Sequence, residues 1–178
     1  MPNIIFRNDD VNPNSNLAET FKIYSIIKAK FPEAQIYSCI SIFGKTNPFG
    51  SPYASMKNIY NSKYYYDVDL IFNRQYLFNL ETIVSHGLFH FAHRQMSYET
   101  QKFSILTSCN LLNTKLFLPP FIAWNDDTEA ICNSFNIKLI GNEPWKSLEK
   151  NRFDSTHYYW LFHGWQWTPR KFERALNE

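Results

Sequence analysis

Near its start the chain reads Asn3-Ile4-Ile5-Phe6-Arg7-Asn8-Asp9-Asp10. An apolar-rich run, Asn3 to Arg7, gives way at once to a polar cluster ending in two carboxylates. Such a run reads as a buried strand that delivers Asp9 and Asp10 at its C-terminal end. Beyond the turn residues Asn12-Pro13-Asn14-Ser15, the positions Leu17, Phe21, Tyr24, Ile27 and Phe31 recur at helical spacing, and Pro32 closes that helix. Gln35 to Phe43 then reads as a second strand. Strand, helix, strand in this order is the repeating unit of a parallel α/β sheet.

The rest of the chain continues the alternation. Gly44 to Ser62, with Pro48, Gly50 and Pro52, is expected to be a long loop that shapes a cleft. Val68 to Phe72 and Thr82 to Ser85 are short strand candidates, the second running into His86-Gly87. Ser97 can cap a helix over Tyr98 to Leu112 with Phe103, Leu106 and Cys109 on its apolar side. Lys115 to Leu118 is a strand stopped by Pro119-Pro120, Asp127 can cap a helix to about Phe135, and Ile137 to Ile140 is again a strand. Tyr158 to Phe162 ends at His163-Gly164, and a last helix starts at Thr168. Without a linker or repeat, residues 1–178 read as one domain.

Composition excludes several classes. The formal net charge of +2 cannot give a strong sequence-independent grip on phosphate backbones, so no nucleic-acid partner is expected. No apolar run approaches the ~20 residues of a membrane span. The first ten residues turn charged before a signal-peptide apolar stretch develops. Cys39, Cys109 and Cys132 are widely spaced and form no CxxC, which reads as buried free thiols in a reducing cytoplasm. The aromatic content, with Phe 16, Tyr 11 and Trp 5, fits either a heavy core or a groove that stacks on sugars or bases.

The notable polar residues share one address. Asp9-Asp10, His86, Pro119-Pro120 and His163 all stand where an expected strand gives way to a loop, the rim on which α/β folds build their sites. His86 and His90 are four apart, close enough in a turn for both imidazoles to reach one ion, although His93 makes the pair less distinctive. Adjacent aspartates on an extended segment point to opposite sides, so Asp9 and Asp10 are expected to differ in role unless a turn swings both into the site.

On these residues the chain resembles the polysaccharide deacetylases, the NodB-like carbohydrate esterases. Phe6-Arg7-Asn8-Asp9-Asp10-Val11 resembles that family's first motif, TFDDG. His86-Gly87-Leu88-Phe89-His90 resembles the second, H-S/T-x-x-H, and Leu118-Pro119-Pro120-Phe121 a degraded third, R-x-P-Y/F. Leu161-Phe162-His163 resembles the L-x-H motif near the C-terminus. The motifs fall in family order from residue 6 to residue 163. Two features depart from the pattern. The family's motif-3 arginine falls on Leu118, and only Glu143-Pro144-Trp145 offers a candidate for the fourth motif. Arg7 and Asp9 share a strand face, so Arg7 is a candidate to replace that arginine and hold Asp9 ionised; a purely structural ion pair is the competing account.

The resemblance implies a distorted, compact (β/α) barrel of roughly six to seven mostly parallel strands. It implies that Asp10, His86 and His90 hold a divalent metal, zinc by preference, with Asp9 as general base and His163 as general acid. A backbone N–H near Phe121 is then expected to help hold the oxyanion. The implied reaction removes an acetyl group from an N- or O-acetylated sugar, and a cytoplasmic setting favours a small sugar-containing precursor. Arg7, Pro120, Phe121, Trp124, Asn125 and Trp165 are the expected substrate-side residues, with Trp160 and Trp167 as further aromatics near the site. For Trp124 and the Trp160–Trp167 run, packing in the core or a loop is the competing account, and His157 reads as structural. Three other functions compete. A non-catalytic carbohydrate-binding module on the same fold is the main alternative. An iron-binding facial triad or a paired-carboxylate glycosidase fits the order of the residues less well.

Overall fold

β1 (Ile5–Val11) lies at the heart of a seven-stranded sheet, hydrogen-bonded to β2 (Gln35–Ile40) on one side and β7 (Tyr159–Phe162) on the other. This computed structural model describes residues 4–11, 15–42 and 81–177. β3 (Thr82–Ser85), β4 (Leu116–Phe117), β5 (Lys138–Leu139) and β6 (Lys146–Ser147) complete the order β5-β4-β3-β2-β1-β7-β6. Every pairing is parallel, so the strands' C-terminal ends form one rim. The strands curl into a half-barrel, as a (β/α) barrel of six to seven strands requires. The expected loop from Gly44 to Ser62, the expected strand from Val68 to Phe72 and the end of the second strand at Phe43 lie outside the described residues.

Helices cover the outer face. α1 (Leu17–Lys30) starts at Asn16, whose side chain accepts the Glu19 N–H, and buries Ile23, Tyr24 and Ile27. These meet Phe6, Trp160 and Phe162 from the strands and Phe172 and Leu176 from α4 (Pro169–Asn177). α2 (Tyr98–Leu111) is capped by Ser97 as expected. Its buried face is Gln101, Ser104, Ile105, Ser108 and Cys109, while Phe103 and Leu106 pack only at the edges. The cap of α3 (Asp126–Ser134) lies two residues before the expected Asp127. Asn125 is the cap, in a reciprocal box with Thr128, because its side-chain oxygen reaches the Thr128 N–H at 3.2 Å.

Phe21 lies on the exposed side of α1, and Trp160 is fully buried between the sheet and Phe153. Trp167 is likewise core, packed edge-on against Phe172. Among the described residues no helix is long and apolar enough to cross a membrane.

Alternation along β1 divides its side chains between the two faces. Phe6 and Asn8 point to the helices, and the Asn8 amide donates to Tyr24 Oη at 2.9 Å. Arg7 and Asp9 point to the inner face, toward the concave side of the sheet.

Candidate active site

The two aspartates both reach the inner rim because β1 bulges. Pairing with β2 runs in register to Asn8↔Ser38 and resumes at Val11↔Ile40, so Asp9 and Asp10 together oppose the single residue Cys39. Asp10 takes the left-handed conformation, φ 62°, that such a bulge requires. An unbroken strand would send Asp10 to the helix side; the bulge turns it back beside Asp9. The exception foreseen for the pair, both carboxylates swung into the site, is thus the arrangement adopted, for this local reason.

His86 follows β3 and is pinned there by its backbone, which donates to the Ile40 carbonyl at 2.8 Å. Gly87, at φ 83°, turns the chain sharply, and a Cβ there would meet the Phe89 carbonyl at 3.2 Å. Bends rather than a helix then bring His90 back toward His86, with ring centroids 5.1 Å apart. The result is a compact donor set: one oxygen of Asp10 and one nitrogen each from His86 and His90, all within 4.8 Å of one another. His90 Nε2 is 2.6 Å and His86 Nε2 3.6 Å from Asp10 Oδ1. His86 Nδ1–H donates to the Leu118 carbonyl at 2.8 Å, which assigns the bare nitrogen to Nε2, facing Asp10. Two imidazoles and a carboxylate, largely buried and with one tautomer already fixed, fit a divalent cation of the zinc type.

Arg7 lies beneath Asp9 with no exposed surface. Its Nη2 donates to Asp9 Oδ2 at 3.0 Å and its Nε lies 2.9 Å from Asp9 Oδ1, one hydrogen bond beside a close ionic contact. The guanidinium also lies 4.4 Å from the ring centroid of Trp145, in the segment that carried the candidate fourth motif. Glu143 holds that indole, accepting from Trp145 Nε1 at 3.1 Å and from the Gly141 N–H at 2.9 Å. Arg7 is thus a partner of Asp9 from below.

His163 follows β7, with Nε2 3.9 Å from Asp10 Oδ2. Its partner is Glu149, which sequence reasoning missed. Glu149 Oε1 accepts the His163 N–H at 2.7 Å and lies 3.4 Å from Nδ1; Trp167 Nε1 donates to the same oxygen at 3.2 Å. The bond to Glu149 raises the His163 pKa; burial opposes it, and the charges of Asp9, Glu149 and Asp10 add to the rise. Burial alone would push Glu149 up. Hydrogen bonds from His163 and Ser147 overcome it and bring the carboxyl from 4.5 to about 2. Strand register does not mark the pair: β6 ends at Ser147, opposite Leu161, and Glu149 lies in the turn that follows. β6 is only two residues long and leaves no periodic trace in the sequence.

Asp9, Asp10, His86, His90, His163, Phe121 and Trp165 line one open cleft, with Arg7 at its floor. Phe121, 66% exposed, sets its ring edge-on to His90 at 4.4 Å, while Trp165, 61% exposed, stands beside His163. Pro120 is buried under this turn, supporting Phe121 rather than facing the cleft. Trp124 and Asn125 are not brought to the cleft. Trp124 Nε1 donates to Glu129 at 2.9 Å, and the Asn125 side chain is occupied by the α3 cap and by Gln101. His93, the third histidine of the segment, is fully buried between the Phe91 carbonyl and Ser104 Oγ; burial lowers its pKa to about 4 and keeps it neutral. His157 is structural, bonded to the Pro144 carbonyl at 2.8 Å.

Against solved structures, 98% of the chain superposes on the family 4 carbohydrate esterase from Streptomyces lividans, covering 83% of that protein at 11% identity and a TM-score of 0.59. The fold is that of the NodB-like polysaccharide deacetylases. The same share of the chain superposes on a CE4 family pseudoenzyme from Bacillus anthracis, over 59% of its length, at 12% identity and TM-score 0.62. It also superposes on the peptidoglycan deacetylase PdaC from Bacillus subtilis, over 82% of its length, at 12% identity and TM-score 0.56. At these identities the likeness to the deacetylases is one of fold. No protein-family profile and no curated protein matches the sequence.

Proposed function

We propose that the protein is a metal-dependent hydrolase that removes an acetyl group from an N- or O-acetylated sugar. The observation that carries this reading is the convergence, on one rim, of three metal-type donors with a clamped carboxylate and a carboxylate-backed histidine. Asp10, His86 and His90 would hold the cation. When bound, a divalent cation of the zinc type polarises an acyl carbonyl and makes water more acidic. Asp9, steadied by Arg7, accepts the proton of the attacking water. His163, whose protonated form the bond to Glu149 favours, gives a proton to the departing amine or alkoxide, so acetate and a free amine or hydroxyl leave the cleft. Trp165 offers an exposed ring face to a sugar. In this reading the substrate is a small acetylated precursor in the cytoplasm, and the whole chain acts as a single catalytic domain.

A non-catalytic carbohydrate-binding role is the second reading. It is favoured by Leu118 in the place of the family's arginine and by the pseudoenzyme among the fold neighbours. One assay separates the two. Acetate released from N-acetylglucosamine oligomers and from acetylated xylose is measured with zinc-loaded wild type, His86→Ala and Asp9→Asn protein. Zinc-dependent release by wild type, lost in both variants, is expected. Sugar binding without release by any of the three would sink the hydrolase reading in favour of the module.

A further inference from the structure

Among the described residues two arginines line the cleft, and one of them has its counter-charge. Arg7 is buried and bound to Asp9. Arg94 is exposed on the same wall, in the 3-10 turn His93–Gln95, and no acidic side chain among the described residues pairs with it. The cleft's own acids, Asp9 and Asp10, are answered by Arg7 and by the histidines. Among the described residues Arg94 is therefore the unanswered charge of the cleft.

Its position is built rather than incidental. His93, immediately before it, is locked by the Phe91 carbonyl and Ser104 Oγ and packs edge-on to Phe117 at 5.0 Å. The Arg94 N–H itself donates to the Ala123 carbonyl at 3.3 Å, tying this turn to the segment that carries Phe121 and Ile122. Those two residues take successive left-handed conformations, φ 59° and 52°, and both line the cleft. A β-branched side chain there is uncommon and costs free energy, so the surrounding packing imposes it. The cleft lining also includes the apolar Phe91, Ala92, Ile122 and Ala123. A ligand seated on the donor set thus shares the cleft with an exposed guanidinium and the neighbouring Gln95 amide.

We propose that Arg94 is a specificity-determining residue for an anionic substituent, a phosphate or carboxylate, carried by the acetylated sugar. A guanidinium presents a planar fork of donors that matches both groups. The idea rests on the hydrolase reading for the acetylated sugar, but a binding measurement tests the anion subsite on its own.

Isothermal titration of the zinc-loaded, full-length protein compares N-acetylglucosamine, its 6-phosphate and N-acetylmuramic acid on wild type, Arg94→Gln and Arg94→Lys. At least one anionic sugar is expected to bind wild type about tenfold more tightly than the neutral one, the scale of a single exposed charge-assisted contact. Arg94→Gln should erase that preference and leave the neutral sugar's affinity unchanged, and Arg94→Lys should keep part of it. Which of the two anions gains tells phosphate from carboxylate. Equal affinities on wild type, no binding of any sugar, or a preference that survives Arg94→Gln and so belongs to the cation, overturns the proposal. Acetate release is recorded in parallel. An Arg94-dependent preference without release leaves the subsite standing and removes the hydrolase reading.

Discussion

A guanidinium without exposed surface must find its counter-charge inside the protein, and Arg7 finds it two residues along its own strand, in Asp9. Removing one partner of a buried pair strands the other, at a cost of about 3–5 kcal/mol. Arg7→Ala should therefore destabilise the fold by that order in urea unfolding. Arg7→Lys should cost less, since it keeps the charge but loses the guanidinium's placement against Asp9 and its fit to Trp145. An Arg7→Ala protein as stable as wild type would show the pair to be incidental. The second residue-scale prediction concerns Glu149 and His163. A general acid works while protonated, so activity declines as pH rises through the His163 pKa, which Glu149 raises. Glu149→Gln removes the leading cause of that rise, and the alkaline limb of the pH–rate profile should move to lower pH. The stability consequence has the opposite sense in pH. Glu149 titrates near 2 folded against 4.5 ordinarily, so its contribution is present above pH 4.5 and fades as pH falls toward 2. Glu149→Gln should flatten the acid side of the unfolding curve in that window. An alkaline limb that stays in place in Glu149→Gln protein rules out this role for the dyad.

Among the elements, β1 and α3 show where local sequence informs and where it misleads. β1 was legible as a strand from its apolar run, yet its most consequential feature is the bulge at Asp9 and Asp10. Bulges follow from register against a neighbour, here β2, and a single strand's sequence does not contain its partner. α3 shows the reverse case. Asn125-Asp126-Asp127-Thr128 offers four cap-forming residues in succession, all of good intrinsic preference. The choice fell on Asn125 because Thr128 returns the bond to the Asn125 N–H and Gln101 of α2 donates to the same Asn125 oxygen. The cap also explains why Asn125 is not at the cleft. Asn125→Ala should cost about 1 kcal/mol of stability, within the range measured for cap removal. Acetate release per folded molecule should stay unchanged. A fall in kcat/KM beyond threefold, with folding intact, would return Asn125 to the substrate side.

At the scale of the whole molecule, the parallel sheet makes four distant segments meet. β1, β3, β4 and β7 end on one rim, so Asp10, His86, Leu118 and His163 converge although 153 positions separate the first from the last. That convergence was readable from the sequence, because strand ends carry their polar residues visibly. The supports behind the rim were less readable. Trp145 and Glu149 flank the two-residue edge strand β6, and their partners are fixed only by tertiary contacts. The same topology makes the donor set a tether between two strands. Asp10 belongs to β1, whereas His86 and His90 follow β3, with β2 between them. A cation that binds only this folded arrangement stabilises it by mass action, by about 2.7 kcal/mol at a hundredfold excess over Kd. For a chain of 178 residues, that should raise Tm by roughly 5–10 °C. Zinc added to chelator-treated protein should therefore lift the melting transition of wild type. His86→Ala, His90→Ala and Asp10→Asn should each lose most of the shift. His163→Ala should keep it, since that histidine faces the donor set without belonging to it. A zinc shift undiminished in Asp10→Asn and His86→Ala protein would place the cation elsewhere, and both the tether and the proposed chemistry would fall together.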